Sequence, residues 1–347
     1  MSGGVDSSVV AGLMAAEGHE VIGVTLQLYD HGAATGRKGA CCAGQDIHDA
    51  KRVADRLGIA HYVVDSEARF KSSVIAAFAD SYAAGETPVP CIACNQHLKF
   101  GDLLSMARDL GADALATGHY VRRVDGADGP ELHKAADADR DQSWFLFATT
   151  REQLEFCRFP LGDIPTKAEV RRRAADMGLV VADKPDSQDI CFVPTGTYAD
   201  IVGKFRPDAL AEGDIVTESG AVLGQHTGIA RYTVGQAKRL GNAAQTAGEA
   251  MVVRRIEPAT RRIVIGPRAT GTTEIRLRDV NWLIPPPAVP LRATAKLRAR
   301  ETPHPVRIEP SGTGATLTLD SPALPAPGQA AVFYDGSRIL GGGFIAN

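Results

Sequence analysis

The sequence predicts an α/β protein that changes to β structure along its length. We expect a parallel-sheet domain over residues 1–198, a small central β-rich domain over 199–268 and a C-terminal β-barrel over 269–347. Three observations predict this. Buried-strand and amphipathic-helix patterns take turns through the first half, which calls for parallel strands with crossover helices. A glycine-rich turn, Ser2-Gly3-Gly4-Val5-Asp6-Ser7-Ser8, runs directly into the apolar stretch Val9–Met14. Beyond about residue 200 the helical period fades and Gly, Pro, Thr and Val dominate.

Taken in order, the turn opens a first helix. Glu20–Leu28 reads as a buried strand, Ile47–Leu57 as a helix, His61–Val64 as a strand and Phe70–Tyr82 as a helix. Leu98–Leu110 is an amphipathic helix and Asp113–Thr117 the next strand, with Gly118-His119-Tyr120 at its carboxyl end, where open α/β sheets bind ligands. Val121–Phe147 breaks into short extended pieces. Thr166-Lys167-Ala168-Glu169 reads as a capping box for a helix carrying Arg171, Arg172 and Arg173, either a solvated face or an RNA contact. In the last part Ala293–Leu297, Ala315–Leu319 and Ala330–Tyr334 read as barrel strands. A hydrophobic strand ordinarily feeds a phosphate turn and lies centrally in its sheet. The sequence starts at Met1, so we expect a chain short at its amino end by on the order of ten residues, lacking that strand.

The turn has the chemistry of a pyrophosphate cradle: paired glycines for close approach, helix N–H groups, and the hydroxyls of Ser2, Ser7 and Ser8. It lacks the Gly-Lys-Ser/Thr ending of the Walker loop, and Asp6 among the hydroxyls suggests Mg²⁺ between protein and triphosphate.

Composition narrows the class. At 347 residues with 44% hydrophobic content the chain can build two or three domains. No apolar run has the length of a membrane span and no leader pattern is present, so a cytoplasmic protein without membrane partners is expected. The net charge is −3, yet residues 251–310 carry eleven Arg and Lys296 against five acids, +7, leaving −10 elsewhere. A basic C-terminal portion on an acidic body points to a polyanionic partner.

Six cysteines are too few for a disulfide framework in a chain this long. Cys91-Ile92-Ala93-Cys94 follows the Pro-framed loop Thr87–Pro90 and precedes a helix, whose N-terminus would favour a Cys94 thiolate and make it a candidate nucleophile. Structural zinc would need a second pair at standard spacing, and neither Cys41-Cys42 nor Cys157 with Cys191 supplies one. Cys157 reads as core, and Cys41-Cys42 as buried or as part of an adaptable loop.

The turn SGGVDSS resembles the loop of the PP-loop ATP-pyrophosphatases, the adenine nucleotide α-hydrolase-like fold, whose members cleave ATP to AMP and pyrophosphate. With the loop ending at Cys94-Asn95, ATGHY (116–120), DQSWFL (141–146), DSQDICF (186–192), G-x-H-x-G (224–228), YTVGQ (232–236), PGQ-x-AVFY (327–334) and Gly341–Gly343, the sequence resembles the tRNA-specific 2-thiouridylases of the MnmA family from Met1 to Ile345. The resemblance implies ATP on Met1, Ser2, Gly3, Gly4, Val5, Asp6 and Ser7, with Leu26 and Gly118 lining the site. It implies Cys94 as nucleophile and Cys191 as carrier of a persulfide delivered by a sulfur carrier protein or cysteine desulfurase, with a transient disulfide between them. It implies tRNA contacts from Val89, Pro90 and Cys91 to the target base, from His119, Arg140, Asp141 and Gln142, and from Arg298, Ala299 and Gln329 of the barrel. Two departures from the family stand out: Val89 and Cys91 occupy positions where Asn and Asp are common, and Ala299 stands where a Tyr follows the Arg. Losing that ring removes a stacking contact of about 1–3 kcal/mol if it holds a base.

Alternative readings accompany this one. Cys91, Cys94 and Cys191 could hold a [4Fe-4S] cluster in a cluster-dependent thiolase or RNA-binding protein. A PP-loop synthetase would adenylate a small molecule instead, and a catalytically dead tRNA binder would keep the fold without the chemistry.

Overall fold

The computed structural model describes residues 1–28, 42–186, 190–193, 196–241, 250–268 and 271–347, apart from the side chains of residues 42 and 43. The expectations for Cys41 and Cys42, and the middle of the DSQDICF motif, lie outside what is described. The chain forms two compact units, one made of Met1–Ser73, Ala93–Phe192 and Ser337–Ile339, the other of Val74–Ile92, Val193–Gly336 and Leu340–Asn347.

In the first unit helix α1 (Val5–Ala16) follows the glycine turn, and Val5, Val9 and Val10 are buried. They pack with Val53, Leu161, Val170, Leu179 and Val181 in one apolar cluster. Strand β1 (Ile22–Gln27), helix α2 (Cys42–Leu57) and strand β2 (Ala60–Asp65) follow in that order, and β1 and β2 pair in parallel, Ile22 opposite Ala60 through Gln27 opposite Asp65. The short strands β3 (Leu115–Ala116) and β6 (Cys157–Arg158) make a second parallel pair. Between them in sequence, β4 (Val121–Gly126) and β5 (Gly129–Lys134) form an antiparallel hairpin, the extended pieces expected there.

Two helical segments depart from a single α-helical period. Glu67–Phe70 continues through a π-helical stretch, Lys71–Ala76, into Ala77–Ala83. Helix α3 starts at Pro90–Cys94 and runs through a π-helical stretch, Asn95–Leu103, into Leu104–Asp109. The helix expected from Leu98 therefore begins at Pro90, whose fixed φ suits a first helical position. Cys94 lies a turn inside it, so the helix-terminus argument for its thiolate does not apply.

Helix α4 (Lys167–Asp176) has Thr166 as N-cap, its side chain accepting from the Glu169 amide at 3.2 Å. The expected capping box is only half made: the Glu169 carboxylate turns away to Arg172 at 2.7 Å and Arg173 at 2.9 Å. Arginine outcompetes the N-cap amide because both partners of that contact are charged.

In the second unit, β7 (Gly213–Thr217), β8 (Val222–His226), β9 (Met251–Glu257) and β10 (Arg262–Pro267) form a four-stranded sheet in the order β8-β7-β10-β9. Strands β11 (Thr272–Trp282), β12 (Leu291–Lys296), β13 (His304–Ser311), β14 (Gly314–Ala323), β15 (Ala330–Asp335) and β16 (Arg338–Ile345) run in the order β11-β14-β13-β12-β15-β16, and β11 also pairs with β16. That last pairing closes a six-stranded barrel, which removes the unpaired edges an open sheet would expose. Alternate residues of its strands, Ile275, Leu277, Val306, Ile308, Leu317, Leu319 and Phe333 among them, fill the interior.

Candidate active site

The glycine turn is shaped by contacts that only glycine allows. Gly3 has φ +71°, and a Cβ there would meet the backbone of Asp46, whose Cα lies 2.7 Å away. Gly4 is the N-cap of α1 and no side chain caps it. Ser7 Oγ accepts from the Ser2 amide at 3.0 Å, which folds the turn back on the helix, while the Ser8 hydroxyl is buried and donates to Gly4 O at 2.8 Å. Ser8 thus shapes the turn from inside and leaves Ser2 and Ser7 at its open side. Gly118 backs the same helix end: a Cβ on it would lie 3.0 Å from the Ser7 nitrogen and 3.1 Å from Asp6. Met1 and Leu26 stand at β1, where Met1 O accepts from Thr25 Oγ1 at 2.7 Å.

Two lysines that the sequence reading passed over flank this turn. Lys184 donates to Gly3 O at 2.9 Å, Asp46 Oδ1 at 2.7 Å and Asp49 Oδ2 at 2.6 Å. Although its burial acts against the charge, the two carboxylates hold its pKa above the usual lysine value. Lys167 donates to both oxygens of Asp6, at 2.7 and 2.8 Å, and lies 2.9 Å from Asp186. Tyr120 also donates to Asp6 Oδ1, at 2.6 Å, and burial together with that carboxylate pushes its phenol well above the ordinary value. A signal for Lys167 was present in the sequence: a lysine at the first position of a helix opposes the helix dipole and needs an acid beside it.

The Asp6 carboxylate therefore has three of its four lone-pair positions taken, two on Oδ1 and one on Oδ2. The position left on Oδ2 suits a single Mg²⁺ contact.

Asp186 joins this group to the segment that leads to Cys191. Besides Lys167 it meets Arg140 at 2.5 Å and Arg171 at 3.3 Å. Burial opposes its charge, but Lys167 and Arg140 outweigh it and its pKa is lowered. Arg171 is thus occupied, as are Arg172 by Glu169 and Asp176 and Arg173 by Glu169. Arg172 and Arg173 pair with acids of their own helix, and only Arg171 reaches beyond it, to Ala182 O and Asp186.

The cysteines divide by exposure. Cys191 and Cys91 are exposed, Cys94 is buried at 9% and Cys157 is fully buried. Burial pushes the Cys157 thiol up to about 12, which leaves it protonated and inert, as expected of a core residue. Cys94 and Cys191 belong to the same compact unit. Among the described residues no three His, Cys, Asp or Glu side chains come together to hold a metal ion.

The residues expected to meet tRNA fall in several places. His119 Nδ1 lies 2.7 Å from Thr117 Oγ1, and its Nε2 accepts from Lys99 Nζ at 3.4 Å. Burial and that lysine hold the ring neutral, with a pKa well below the ordinary histidine range. Asp141 accepts from Ser143 Oγ at 2.8 Å and from the Ala135 amide at 3.1 Å, and Gln142 Oε1 accepts from the Tyr120 amide at 3.0 Å. Both side chains brace the site, and Arg140 is exposed beside them. In the other unit Gln329 donates to Thr87 O at 2.9 Å, tying the barrel to the loop that carries the half-buried Val89, the buried Pro90 and the exposed Cys91. Arg298 is exposed and donates to Leu324 O at 3.1 Å, with Ala299 half-buried after it.

The family profile described as tRNA methyl transferase HUP domain matches residues 1–195, that of the tRNA methyl transferase PRC-barrel domain residues 200–267, and that of the aminomethyltransferase beta-barrel domain residues 272–345. The chain is 71% identical over 345 residues to the tRNA-specific 2-thiouridylase MnmA of Acidiphilium cryptum, covering 99% of this chain and 98% of that one. It is 60% identical to the protein of that name from Gluconobacter oxydans, with 99% and 97% covered, and 57% identical to that of Rhodospirillum centenum, with 99% and 90% covered.

Proposed function

The chain belongs to the tRNA-specific 2-thiouridylase family, and on that premise we propose that it exchanges the C2 oxygen of the wobble uridine of tRNA for sulfur, consuming ATP. The observation that carries the reading is the occurrence in one compact unit of an uncapped glycine turn at a helix N-terminus and two cysteines of opposite exposure.

A uridine C2 oxygen is a poor leaving group, and transfer of AMP to it with release of pyrophosphate makes it a good one. The turn Ser2–Gly4, the first N–H groups of α1 and the Ser2 and Ser7 hydroxyls bind the phosphates, and Gly118 keeps the space beside them open. Mg²⁺ at Asp6 Oδ2 would neutralise charge on the departing pyrophosphate.

Exposed Cys191 is suited to receive sulfur from a carrier protein or desulfurase. The terminal sulfur of its persulfide attacks C2, the C2–O bond breaks and AMP departs. The buried Cys94 thiolate then attacks the Cys191 sulfur, the sulfur–sulfur bond breaks, and the electron pair leaves with the thiocarbonyl of 2-thiouridine. The two cysteines end as a disulfide, and an external dithiol returns two electrons. Val89, Pro90 and Cys91 face the base, which must be unstacked to be reached, and Arg140, His119 and the barrel residues Arg298, Ala299 and Gln329 hold the RNA. No step passes through an iron–sulfur cluster; anaerobically purified protein is expected to show no cluster absorption band, and a stoichiometric band would replace the persulfide route.

The test is nucleoside mass spectrometry of tRNA treated with ATP and a persulfide donor. Cys94→Ala and Cys191→Ala are each expected to lose 2-thiouridine and to retain tRNA on a filter as the unsubstituted protein does. Appreciable 2-thiouridine from either variant refutes its assigned role. Pyrophosphate release in the absence of tRNA would favour a small-molecule synthetase instead.

A further inference from the structure

We propose that the Lys99 ammonium binds the α-phosphate of the nucleotide, the group that passes to the uridine oxygen; this deepens the functional reading above and rests on it. Lys99 is half-buried, and among the described residues no acid pairs with it. The other two lysines of the site are neutralised by the fold itself, Lys167 by Asp6 and Asp186, Lys184 by Asp46 and Asp49. A cation withdrawn from water without a counter-charge is unfavourable, and an anionic ligand supplies what the chain does not.

The neighbours of Lys99 set it beside the glycine turn. Its Nζ lies 3.4 Å from His119 Nε2, and Thr117 Oγ1 lies 2.7 Å from His119 Nδ1. The buried ring is neutral, so with Nδ1–H given to the threonine its Nε2 lone pair accepts from Lys99. Of the three N–H donors of an ammonium group, the described residues take this one. His119 follows Gly118, whose missing Cβ would lie 3.0 Å from the Ser7 nitrogen in the first turn of α1. Lys99 therefore stands at the carboxyl end of β3, where open α/β sheets bind ligands. Burial, and after it the Lys99 charge, lowers the pKa of the Met1 amino group to about 5, which places the ammonium within reach of the turn from its other side as well.

The helix that carries Lys99 selects the phosphate. Cys94 and Lys99 are five positions apart on α3, and Asn95–Leu103 is π-helical, a geometry that joins residue i to i+5, so the lysine stands one turn beyond the cysteine. Cys94 acts on sulfur bonded to C2 of the base, and of the three phosphates only the α-phosphate becomes joined to that carbon, through its oxygen. The glycine turn and the α1 N–H groups hold the other two. In the transfer the C2 oxygen forms a bond to the α-phosphorus, the bond to pyrophosphate breaks, pyrophosphate leaves with the electron pair, and the N3 proton of the base passes to solvent. Lys99 holds a non-bridging oxygen of the α-phosphate throughout, and a fixed cation aimed there stabilises the charge of the transition state.

The experiment is calorimetry on the full chain with Mg²⁺, using AMP and pyrophosphate as separate probes. The unsubstituted protein is expected to bind both. Lys99→Met is expected to weaken AMP about tenfold or more and to leave pyrophosphate within about twofold, because one charged donor is removed from one of the two groups only. Lys99→Gln, which keeps a polar side chain of similar length, is expected to show the same selective loss, and retained pyrophosphate binding demonstrates that each variant is folded. AMP affinity unchanged in both variants, or pyrophosphate weakened as much as AMP, overturns the assignment. So does AMP binding kept in Lys99→Met while the pH profile of Cys94 alkylation moves up, since the ammonium then serves the thiol. An unsubstituted protein that binds pyrophosphate but not AMP overturns the role of Lys99 alone; one that binds neither overturns the ATP reading with it.

Discussion

Charge at single residues decides much of what this molecule can do, and His226 shows it outside the active site. It is 3% exposed, its Nδ1 accepts from the Gly228 amide at 3.1 Å, and its Nε2 lies 3.0 Å from Arg261 O. Burial depresses its pKa below 6.5, so the folded chain prefers the neutral ring. Below that value the unfolded chain binds the proton that the folded one refuses, so stability falls as the pH drops and levels off only below the folded pKa. Thermal melts are expected to show a lower Tm at pH 5.5 than at pH 7.5. His226→Gln should be less stable at pH 7.5 but lose part of that pH dependence; an unchanged dependence would deny His226 the role.

At the scale of elements, the glycine turn and the helix α4 carry the site. Gly118 leaves 3.0 to 3.1 Å between its missing Cβ and the backbone at Asp6 and Ser7, so Gly118→Ala pushes on the end of α1. The expected outcome is a nucleotide affinity weakened about tenfold or more, measured calorimetrically, at the cost of about 1 kcal/mol in stability. Thr166→Ala removes the cap that starts α4 immediately before Lys167, and is expected to lower the unfolding free energy by about 1 kcal/mol in denaturant titration. These elements were readable because they are local. Glycines followed by an apolar run, and a threonine three residues before a glutamate, carry their geometry within a few residues. The second half of the capping box was misread because Glu169 had a better partner in Arg172 and Arg173, which its own helix supplies at i+3 and i+4. The start of the Cys94 helix was placed late because Pro90-Cys91-Ile92-Ala93 reads as a loop until its φ values are known.

For the whole molecule, the barrel and the charge distribution set stability and reach. Leu317 is fully buried in the closed barrel, and Leu317→Ala is expected to cost about 2–5 kcal/mol of unfolding free energy. Within residues 251–310 Arg255 pairs with Glu257 and Arg307 with Glu309, acids already counted in that excess, and Arg278 is engaged by Glu86 from outside the segment. The RNA contact of the barrel is therefore expected to depend on a few exposed arginines. Arg298→Ala is expected to weaken tRNA binding and to reduce the magnitude of its salt slope by about one phosphate contact; an unchanged slope would remove Arg298 from the interface.

By itself the sequence determined the order of strands and helices, the glycine turn, the cysteines worth testing and the change from α/β to β structure, since each depends on residues close together in the chain. The tertiary structure alone decided what becomes of the charges. That Lys184 joins Gly3 to Asp46 and Asp49, that Lys167 spans Asp6 and Asp186 across 161 and 19 positions, and that β11 meets β16 to close the barrel follow from pairings between distant residues. A lysine in sequence has no stated partner; the fold supplies one because a cation drawn away from water must be neutralised where it comes to rest.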